Sequence, residues 1–481
     1  METFDAFTRD PRGKTQRNFP GKAGACNDWV AVNRWIPALL FCLVGCGEAV
    51  AKAKNGAGDE AALPAVARPV QTGALLGTGP APAATTSSAS LRAEPGAPHL
   101  ASVELSYKLS RFFEILQKME KKEGTDDVRI VQFGDSHTAA DLETAAIRRG
   151  LQARFGDGGR GFVAIGAPFK GYIQEGVKPG LMSHFESERG KHQHGKFVGD
   201  GYYGLAGASI TSGKRGARAS SDVTARSSRI ELSYLERPRG GTFDVFVDGN
   251  RMATVKTNAK DVASGWKEVN VPEGPHSIEV RARGDGDVRV FGAALDRPQL
   301  GLTFDALGIN GARITTLKEW DENHFTDQLR HRAPDLVILA YGTNEAGDDS
   351  SLETYERHIV DVLGRVARAV PSAACLLLGP PDRAVDTGTG WATIARLKDV
   401  IAVQRRVAAA AGCAFFDQQA AIGGDGTAAR WAEEDPPRVQ RDRVHYTRES
   451  YAYLGQLFAK ELLLAYDAWR KDKPALTAAA P

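Results

Sequence analysis

The 481-residue chain is predicted to be an α/β protein whose parallel-sheet domain is interrupted by an antiparallel β domain. Three observations predict this fold class. Buried-strand runs such as "DLVILAYG" (335–342) alternate with helical patterns after about residue 302. A strand flanked by two helical patterns occupies 103–155. Between about 170 and 300, polar and apolar residues alternate in short runs separated by turns such as "VDGN" and "PEGP", a pattern typical of antiparallel strands and of a β-sandwich.

The first hundred residues lack the pattern of a packed domain. Residues 1–45 are predicted to be a signal region, because a short apolar run follows Arg34. Residues 1–31 are polar and fit poorly ahead of such a signal, so we expect translation to begin near Val32. Residues 46–100 are rich in Ala, Gly, Pro, Ser and Thr, which predicts a flexible tether.

Cys46 closes the tetrapeptide Leu-Val-Gly-Cys, which resembles the bacterial lipobox. The resemblance implies cleavage before Cys46, lipidation of its thiol, and a membrane contact through the lipid anchor. Gly47, rather than Asp, follows it, which resembles outer-membrane sorting. We therefore expect an exported lipoprotein in the outer membrane, facing the periplasm or the cell surface. The alternative is a buried helix that ends in Gly-Cys.

The rest of the chain divides into four predicted segments. These are the first part of the α/β domain, the inserted antiparallel domain, the second part of the α/β domain and a disordered tail, at 101–170, 171–300, 301–472 and 473–481 respectively.

Composition excludes several function classes. With 61 basic and 59 acidic residues the net charge is +2, which gives no electrostatic reason to expect nucleic acid as a partner. No HExxH and no paired CxxC occurs, so neither a metal nor a cofactor is predicted. His192 and His194 are interpreted as part of a polar loop. Cys375 and Cys413 leave a disulfide and two buried thiols equally open. A monomer is expected.

The stretch "VQFGDSHTAA" (131–140) raises the question of a nucleophile. A strand-like run ends at Gly134, and Asp135, Ser136 and His137 follow. In parallel sheets the carboxyl ends of strands form the ligand crevice, and N–H groups at a following helix start favour an oxyanion. Ser136 is therefore a candidate nucleophile. The alternative is that Asp135 or Ser136 only caps the helix.

Other segments supply the partners that a serine nucleophile requires. Asp442 and His445 lie three apart just before the last helix, and a base together with an acid that orients it is what a hydroxyl needs. Asn344 follows a buried strand, where its amide can stabilise an oxyanion or simply form a turn. Gly311 in "LGINGAR" offers a bare backbone N–H, and Gly308 competes for that role.

These blocks, in this order, resemble the SGNH, or GDSL-type, hydrolase superfamily over roughly 103–170 and 300–470. The resemblance implies a flavodoxin-like three-layer α/β/α fold and ester hydrolysis through an acyl-enzyme. It assigns the nucleophile to Ser136, the base to His445 and the orienting acid to Asp442. The oxyanion hole is then formed by the N–H of Ser136, the N–H of Gly311 and the amide of Asn344. The chain lacks a GxSxG elbow around the serine, which argues against the α/β-hydrolase fold.

The sequence Gly-Asp-Ser-His is similar to a branch of the superfamily that acts on O-acetylated bacterial polysaccharides. Peptidoglycan O-acetylesterases of that branch carry a β-sandwich between the serine and glycine blocks, where this chain has its β-rich segment, so a jelly-roll-like, carbohydrate-binding insert is expected. Tyr202, Tyr203 and Trp266 are candidate sugar-stacking residues, although core packing is favoured for any single one. No role beyond helix-start hydrogen bonding is assigned to His137.

The resemblance implies a serine esterase that removes O-acetyl groups from cell-wall glycan or another polysaccharide. Three alternatives stay open. One is a polysaccharide O-acetyltransferase with the same triad, and another is a lipase or thioesterase. The third is a non-catalytic glycan-binding or wall-assembly lipoprotein, against which a complete triad argues.

Overall fold

A computed structural model of the chain describes Leu105 and residues 107–190, 192–193, 196–197 and 199–478. The predicted signal region, Cys46, the whole predicted tether and His194 lie outside these residues, so those predictions stay predictions. Within the described part of the chain, no helix is long and apolar enough to cross a membrane.

The described residues form nine α-helices and eighteen strands. The helices are α1 (Ser110–Glu120), α2 (Ser136–Ala139), α3 (Glu143–Phe155), α4 (Glu322–Arg332), α5 (Leu352–Ala369), α6 (Arg396–Ala411), α7 (Gln418–Ala421), α8 (Thr427–Ala432) and α9 (Arg448–Ala478). The strands are β1 (Val128–Gly134), β2 (Gly159–Val163), β3 (Val177–Ser183), β4 (Glu186–Arg189), β5 (His192–Gln193), β6 (Lys196–Phe197), β7 (Ala208–Ser212), β8 (Arg218–Glu236), β9 (Thr242–Val247), β10 (Asn250–Lys256), β11 (Ala263–Ala282), β12 (Val288–Asp296), β13 (Leu302–Gly308), β14 (Leu336–Ala340), β15 (Ala374–Leu378), β16 (Ala384–Asp386), β17 (Trp391–Thr393) and β18 (Ala414–Phe416).

Five parallel strands form the central sheet, in the order β13-β1-β14-β15-β18. Numbered by chain position within this sheet, the order is 2-1-3-4-5, which is that of flavodoxin-like folds. The predicted α/β domain with a parallel sheet is therefore confirmed.

Helices cover both faces of this sheet because successive side chains of a strand point to opposite sides. Val131 and Phe133 pack into the apolar cluster that contains α4, α5 and α6. Ile130 and Ile338 pack into the cluster that contains α1, α3 and α9. Strands buried on both faces read as continuous apolar runs, which is why the sequence identified them.

An antiparallel sheet of nine strands is inserted between β1 and β13, with β8 and β11 as its long central pair. Its first strand, β2, pairs with β12 and lies upstream of the predicted 171–300 segment. Glycine is needed there for close packing. A Cβ on Gly161 would lie 2.3 Å from Asp305 Oδ1, which already accepts the N–H of Phe162 at 2.7 Å.

The two sheets share a buried interface. Tyr203 is completely buried in the same cluster as Phe133, and the Nε2 of His324 in α4 lies 2.6 Å from the carbonyl oxygen of Tyr203. Tyr202 packs edge-on against His324, and Trp266 stacks on His331 with ring centroids 3.9 Å apart. The three aromatics considered for sugar stacking are therefore engaged in packing between the domains.

One further feature contradicts a prediction from the sequence, and another decides between two possibilities that the sequence left open. The last helix continues to Ala478, so residues 473–478 are helical where a disordered tail was predicted; Ala475, Leu476 and Ala478 are good helix formers. Cys375 and Cys413, for which the sequence left two possibilities, form a disulfide.

Glu143, the first residue of α3, is a buried carboxyl group. Its Oε1 accepts a hydrogen bond from the Gln418 amide of α7. Burial raises the pKa of Glu143 to about 7, and the nearby carboxylate of Asp135 acts in the same direction. Because the folded-state pKa lies above the ordinary value, the folded protein binds this proton more tightly than the unfolded chain does. The stabilising effect is complete below about pH 4.5 and is lost as the pH rises through 7.

We expect Glu143→Gln to be more stable than the wild type at pH 8 and nearly unchanged at pH 5. Glutamine keeps the acceptor for Gln418 but removes the cost of a buried carboxylate, which is on the order of 3 kcal/mol at high pH. Thermal unfolding of both proteins at the two pH values measures the difference in stability. The contributions of the other titrating groups are the same in both proteins and cancel in the comparison. An identical stability difference at pH 5 and pH 8 would contradict this account.

Candidate active site

Ser136 lies at the carboxyl end of the central strand β1. Gly134 ends this strand, Asp135 is the N-cap of α2, and Ser136 is the first helical residue. Asp135 Oδ1 accepts the backbone N–H of His137 at 3.0 Å, so the capping interpretation is correct for Asp135. Ser136 remains partly exposed, with its hydroxyl available to a second partner.

That partner is His445, which is 309 residues away in the chain. Its Nε2 lies 2.9 Å from Ser136 Oγ. On the other side of the ring, Nδ1 lies 2.6 Å from Oδ2 of Asp442. The structure thus brings the three predicted triad residues into one hydrogen-bonded chain, in the arrangement that a serine nucleophile needs.

A tight turn holds Asp442 and His445 together. Oδ1 of Asp442 accepts the backbone N–H groups of Val444 at 3.0 Å and of His445 at 2.9 Å. Arg443 takes the left-handed conformation, with φ of 53°, which allows the chain to turn back on itself. Burial raises the pKa of Asp442, but the hydrogen bonds from His445 and Val444 outweigh this and hold the pKa below its ordinary value. Asp442 is therefore ionised at neutral pH.

The two predicted oxyanion residues lie on adjacent loops that are tied together. The Nδ2 of Asn344 donates to the carbonyl oxygen of Ala312 at 2.9 Å, beside Gly311. An amide nitrogen carries two hydrogens, so this bond uses one of them. Gly311 has φ of 77°, and a side chain there would meet no described atom within 4 Å. A Cβ on Gly308 would lie 2.0 Å from the backbone nitrogen of Ala139, so Gly308 serves close packing.

Glu345 was not predicted as a site residue, although it follows Asn344 directly. Its Oε1 accepts the N–H of Ile314 at 2.8 Å and its Oε2 accepts the N–H of Gly342 at 3.0 Å. Burial raises the pKa of Glu345 to about 7. This carboxyl group joins the Gly311 loop to the Asn344 loop, and a contact across about 30 residues has no signal in the sequence.

His137 packs behind the triad. Its ring centroid lies 5.6 Å from that of His445, and its Nδ1 lies 2.9 Å from the hydroxyl of Tyr451. Burial lowers the pKa of His137 to about 3, so its ring is neutral at physiological pH. Its N–H takes part in the helix-start hydrogen bond that the sequence suggested. Among the described residues no group of three or more potential metal ligands is found.

Comparison with known proteins places these residues in a family context. Residues 273–453 match the family model of GDSL-like lipases and acylhydrolases, a range that includes Gly311, Asn344, Asp442 and His445 and begins after Ser136. No curated protein sequence matches the chain at a significant level.

Among solved structures, the chain is similar to a peptidoglycan O-acetylesterase. The TM-score is 0.63 at 27% identity, and the match covers 74% of this chain and 96% of that one. Two weaker matches are also found. A family two carbohydrate esterase from Clostridium thermocellum has a TM-score of 0.26 at 12% identity, and the match covers 53% of this chain and 95% of that one. An acetylxylan esterase from Geobacillus stearothermophilus has a TM-score of 0.27 at 19% identity, and the match covers 34% of this chain and 74% of that one. Those two are too distant to support an argument.

The chain therefore resembles the SGNH, or GDSL-type, hydrolases and, among them, peptidoglycan O-acetylesterases, and it is a carboxylic ester hydrolase.

Proposed function

We propose that this protein is a serine esterase that removes O-acetyl groups from cell-wall glycan or another polysaccharide. The observation that carries the proposal is the hydrogen-bonded chain from Ser136 Oγ through His445 to Asp442 at the carboxyl edge of the parallel sheet. The similarity to a peptidoglycan O-acetylesterase supports the choice of acetyl esters on glycan.

The proposed mechanism follows from the roles of these atoms. Ser136 Oγ attacks the acetyl carbonyl carbon while His445 Nε2 takes the hydroxyl proton, and ionised Asp442 holds Nδ1–H and stabilises the imidazolium. The carbonyl oxygen gains negative charge, which the N–H of Ser136, the N–H of Gly311 and the second amide hydrogen of Asn344 stabilise. Collapse breaks the ester bond, and the sugar oxygen leaves with the proton from His445. Water then attacks acetyl-Ser136 by the same route and releases acetate.

The exposure of the triad supports a polymeric substrate. The side chains of His445 and Asp442 are 35% and 47% exposed, so the base and the acid lie at the protein surface. A cleft of about 670 Å³ lies beside the Gly311 and Asn344 loops, and Arg313, Glu345 and Asp348 are among the residues that line it. A long acyl chain favours an enclosed apolar pocket, whereas an open site admits an extended glycan.

The same triad also supports acetyl transfer, which differs only in whether water or a sugar hydroxyl accepts the acetyl group. Acetate release by the purified protein from a panel of O-acetylated polymers, with and without an acceptor glycan, distinguishes the two reactions. Free acetate without an acceptor supports the esterase. Acetylation of the acceptor with little free acetate supports the transferase.

We further propose that the antiparallel sheet folds across itself into a sandwich. Register shifts between Asn270 and His276 interrupt the pairing of β11 with β8. Apolar residues from both sides of this interruption, such as Val223 and Leu232, belong to one buried cluster. A glycan-binding role for 171–300 stays a proposal.

The lipid anchor at Cys46 and the location in the outer membrane also remain proposals, as does the monomeric state. The disulfide between Cys375 and Cys413 supports export, because such bonds persist in oxidising compartments.

Ser136→Ala is expected to fold and to lose roughly 10⁴–10⁶-fold in turnover. The reason is that the alanine has no oxygen with which to form the acyl-enzyme. Acetate release and a fluorophosphonate label located by mass spectrometry measure this. Ser221 is a matched control, because it is fully buried and its Oγ accepts the N–H of Gly166. Near-full activity of Ser136→Ala, or labelling at Ser221, would end this assignment.

Asn344→Ala is expected to lower turnover about 10²–10³-fold, the usual effect of removing one oxyanion donor. The variant also loses the bond to Ala312, so thermal stability is measured alongside turnover. Asn270→Ala is the control, because its exposed amide donates to Glu268 within β11. Unchanged turnover with lower stability would assign Asn344 to turn formation.

Cys46→Ala is expected to shift the protein from the membrane fraction to a soluble exported fraction, because the thiol would be the site of lipid attachment. Cell fractionation of the wild type and the variant, with intact mass of the mature protein, measures the change. A wild-type protein found free in the cytoplasm would contradict export.

A further inference from the structure

A β-hairpin extends from the same edge of the parallel sheet as Ser136. Strand β15 ends at Leu378 at the carboxyl edge of this sheet, and the chain then enters the hairpin formed by β16 and β17. The turn between these strands contains Gly388 and Gly390, and an added side chain at either would meet no described atom within 4 Å. The hairpin therefore projects from the sheet into solvent beside the site.

Specific hydrogen bonds fix this hairpin to α8 and to the loop that carries the triad's base and acid. The buried carboxylate of Asp382 accepts the hydroxyl of Thr393 at 2.7 Å and the N–H of Ala428 at 2.8 Å. The N–H of Ala384 donates to the carbonyl oxygen of Arg443 at 2.9 Å. Arg443 is in the turn between Asp442 and His445, so the hairpin and the triad loop form one unit.

Trp391 is held in this hairpin by the Arg443 side chain. The guanidinium carbon lies 4.2 Å from the centroid of the indole ring, a cation–π geometry, and Arg443 Nε has no hydrogen-bond partner among the described residues. One face of the indole is thus covered by Arg443. Trp391 is nevertheless 38% exposed, so part of its surface faces solvent.

The other described tryptophans are all engaged in packing. Trp320, Trp431 and Trp469 are at most 3% exposed, and Trp266 stacks on His331. An exposed indole carries a cost in water, since burial of an aromatic ring is favourable. Here Arg443, whose Nη1 also donates to the carbonyl oxygen of Arg441, orients an exposed indole next to the catalytic turn.

We propose that Trp391 is the stacking platform of a glycan subsite that binds a pyranose ring of the polymer beside the acetylated sugar. The inference rests on the proposed function and names how that site holds its substrate. The axial C–H groups of a pyranose form an apolar face that matches the flat π-surface of an indole, while the sugar hydroxyls remain in water. Binding energy gained at such a remote ring is available to the reaction of a polymer but not to that of a small ester.

The test compares a polymer with a small ester. O-acetylated peptidoglycan and 4-nitrophenyl acetate are the two substrates, and kcat/KM is measured for the wild type, Trp391→Ala and Trp391→Phe. Trp391→Ala is expected to lose at least about tenfold on the polymer, as loss of one ring-stacking contact does in other binding sites, and to be unchanged on the small ester. Trp391→Phe is expected to recover much of the loss, because it restores an aromatic face.

Two controls separate stacking from general effects. Leu464→Ala removes an exposed apolar side chain on α9, 39% exposed, and is expected to behave as the wild type on both substrates. If Trp391→Ala fails to fold, Trp391→Thr removes the ring and keeps a residue that favours strands. Equal loss on both substrates, or no loss on the polymer, would overturn the inference.

A binding measurement keeps this inference distinct from the proposed activity. Ser136→Ala, with and without Trp391→Ala, is sedimented with O-acetylated peptidoglycan and with the same polymer after mild alkaline de-O-acetylation. Binding that weakens about tenfold when the indole is removed supports the subsite even if the wild type releases no acetate, a result that would reject only the proposed function. Equal binding by both proteins, or binding by neither, would overturn the subsite whatever the activity.

Discussion

The register of three adjacent parallel strands is the constraint on which the site depends. Gly134 of β1 pairs with Gly308 of β13 on one side and with Ala340 of β14 on the other. The three strands therefore end at one level of the sheet, and the loops that follow them carry the candidate nucleophile and the two oxyanion candidates. Gly134 and Gly308 leave no room for a side chain. A Cβ on Gly134 would lie 2.1 Å from Thr138 Oγ1, and one on Gly308 would lie within 2.6 Å of the α2 backbone.

The sequence predicted those parts of the protein that depend on local patterns. Buried strands were found because both of their faces are apolar, and Asp442 with His445 was found because both lie in one short turn. The joining of Ser136 to His445 required a resemblance, since 309 residues separate them. Contacts without a periodic or local signal were missed. They include Glu345 with Ile314, which depends on how two loops meet after the sheet has formed.

The inserted domain illustrates the same limit. Alternating strands were recognised, but β2 was not, because four of the residues in "FGDGGRGF" are glycines and the strand is defined by its partner β12. The packing between the inserted antiparallel domain and the parallel-sheet domain could not be predicted from the sequence either. Tyr203 and Trp266 are aromatic residues of the kind expected on a sugar-binding surface. Tyr203 is nevertheless buried, with its carbonyl oxygen 2.6 Å from His324 Nε2, and Trp266 stacks on His331 of α4. Whether an aromatic side chain is exposed depends on the neighbouring domain, which the local sequence does not encode.

Environment separates the acids near Ser136 into different roles. Asp135 is adjacent to the nucleophile in sequence, but it is buried, it caps α2, and burial raises its pKa to about 6. Asp442 is partly exposed, and its hydrogen bonds keep its pKa low. Asp442 is ionised and its Oδ2 lies 2.6 Å from His445 Nδ1, so it can stabilise a protonated His445, whereas Asp135 uses its carboxylate to cap α2.

The exposure of the triad raises the question of what keeps it oriented, because water screens the attraction between an exposed acid and its base. Hydrogen-bond geometry, rather than burial, maintains the orientation of Asp442 and His445. One oxygen of Asp442 accepts two backbone N–H groups of its own turn, which leaves the other aimed at His445. The acid and the base are thus positioned within four residues, and the sheet positions Ser136 independently. A site built in this way stays open to solvent without losing its alignment, which suits the extended polymer proposed as the substrate.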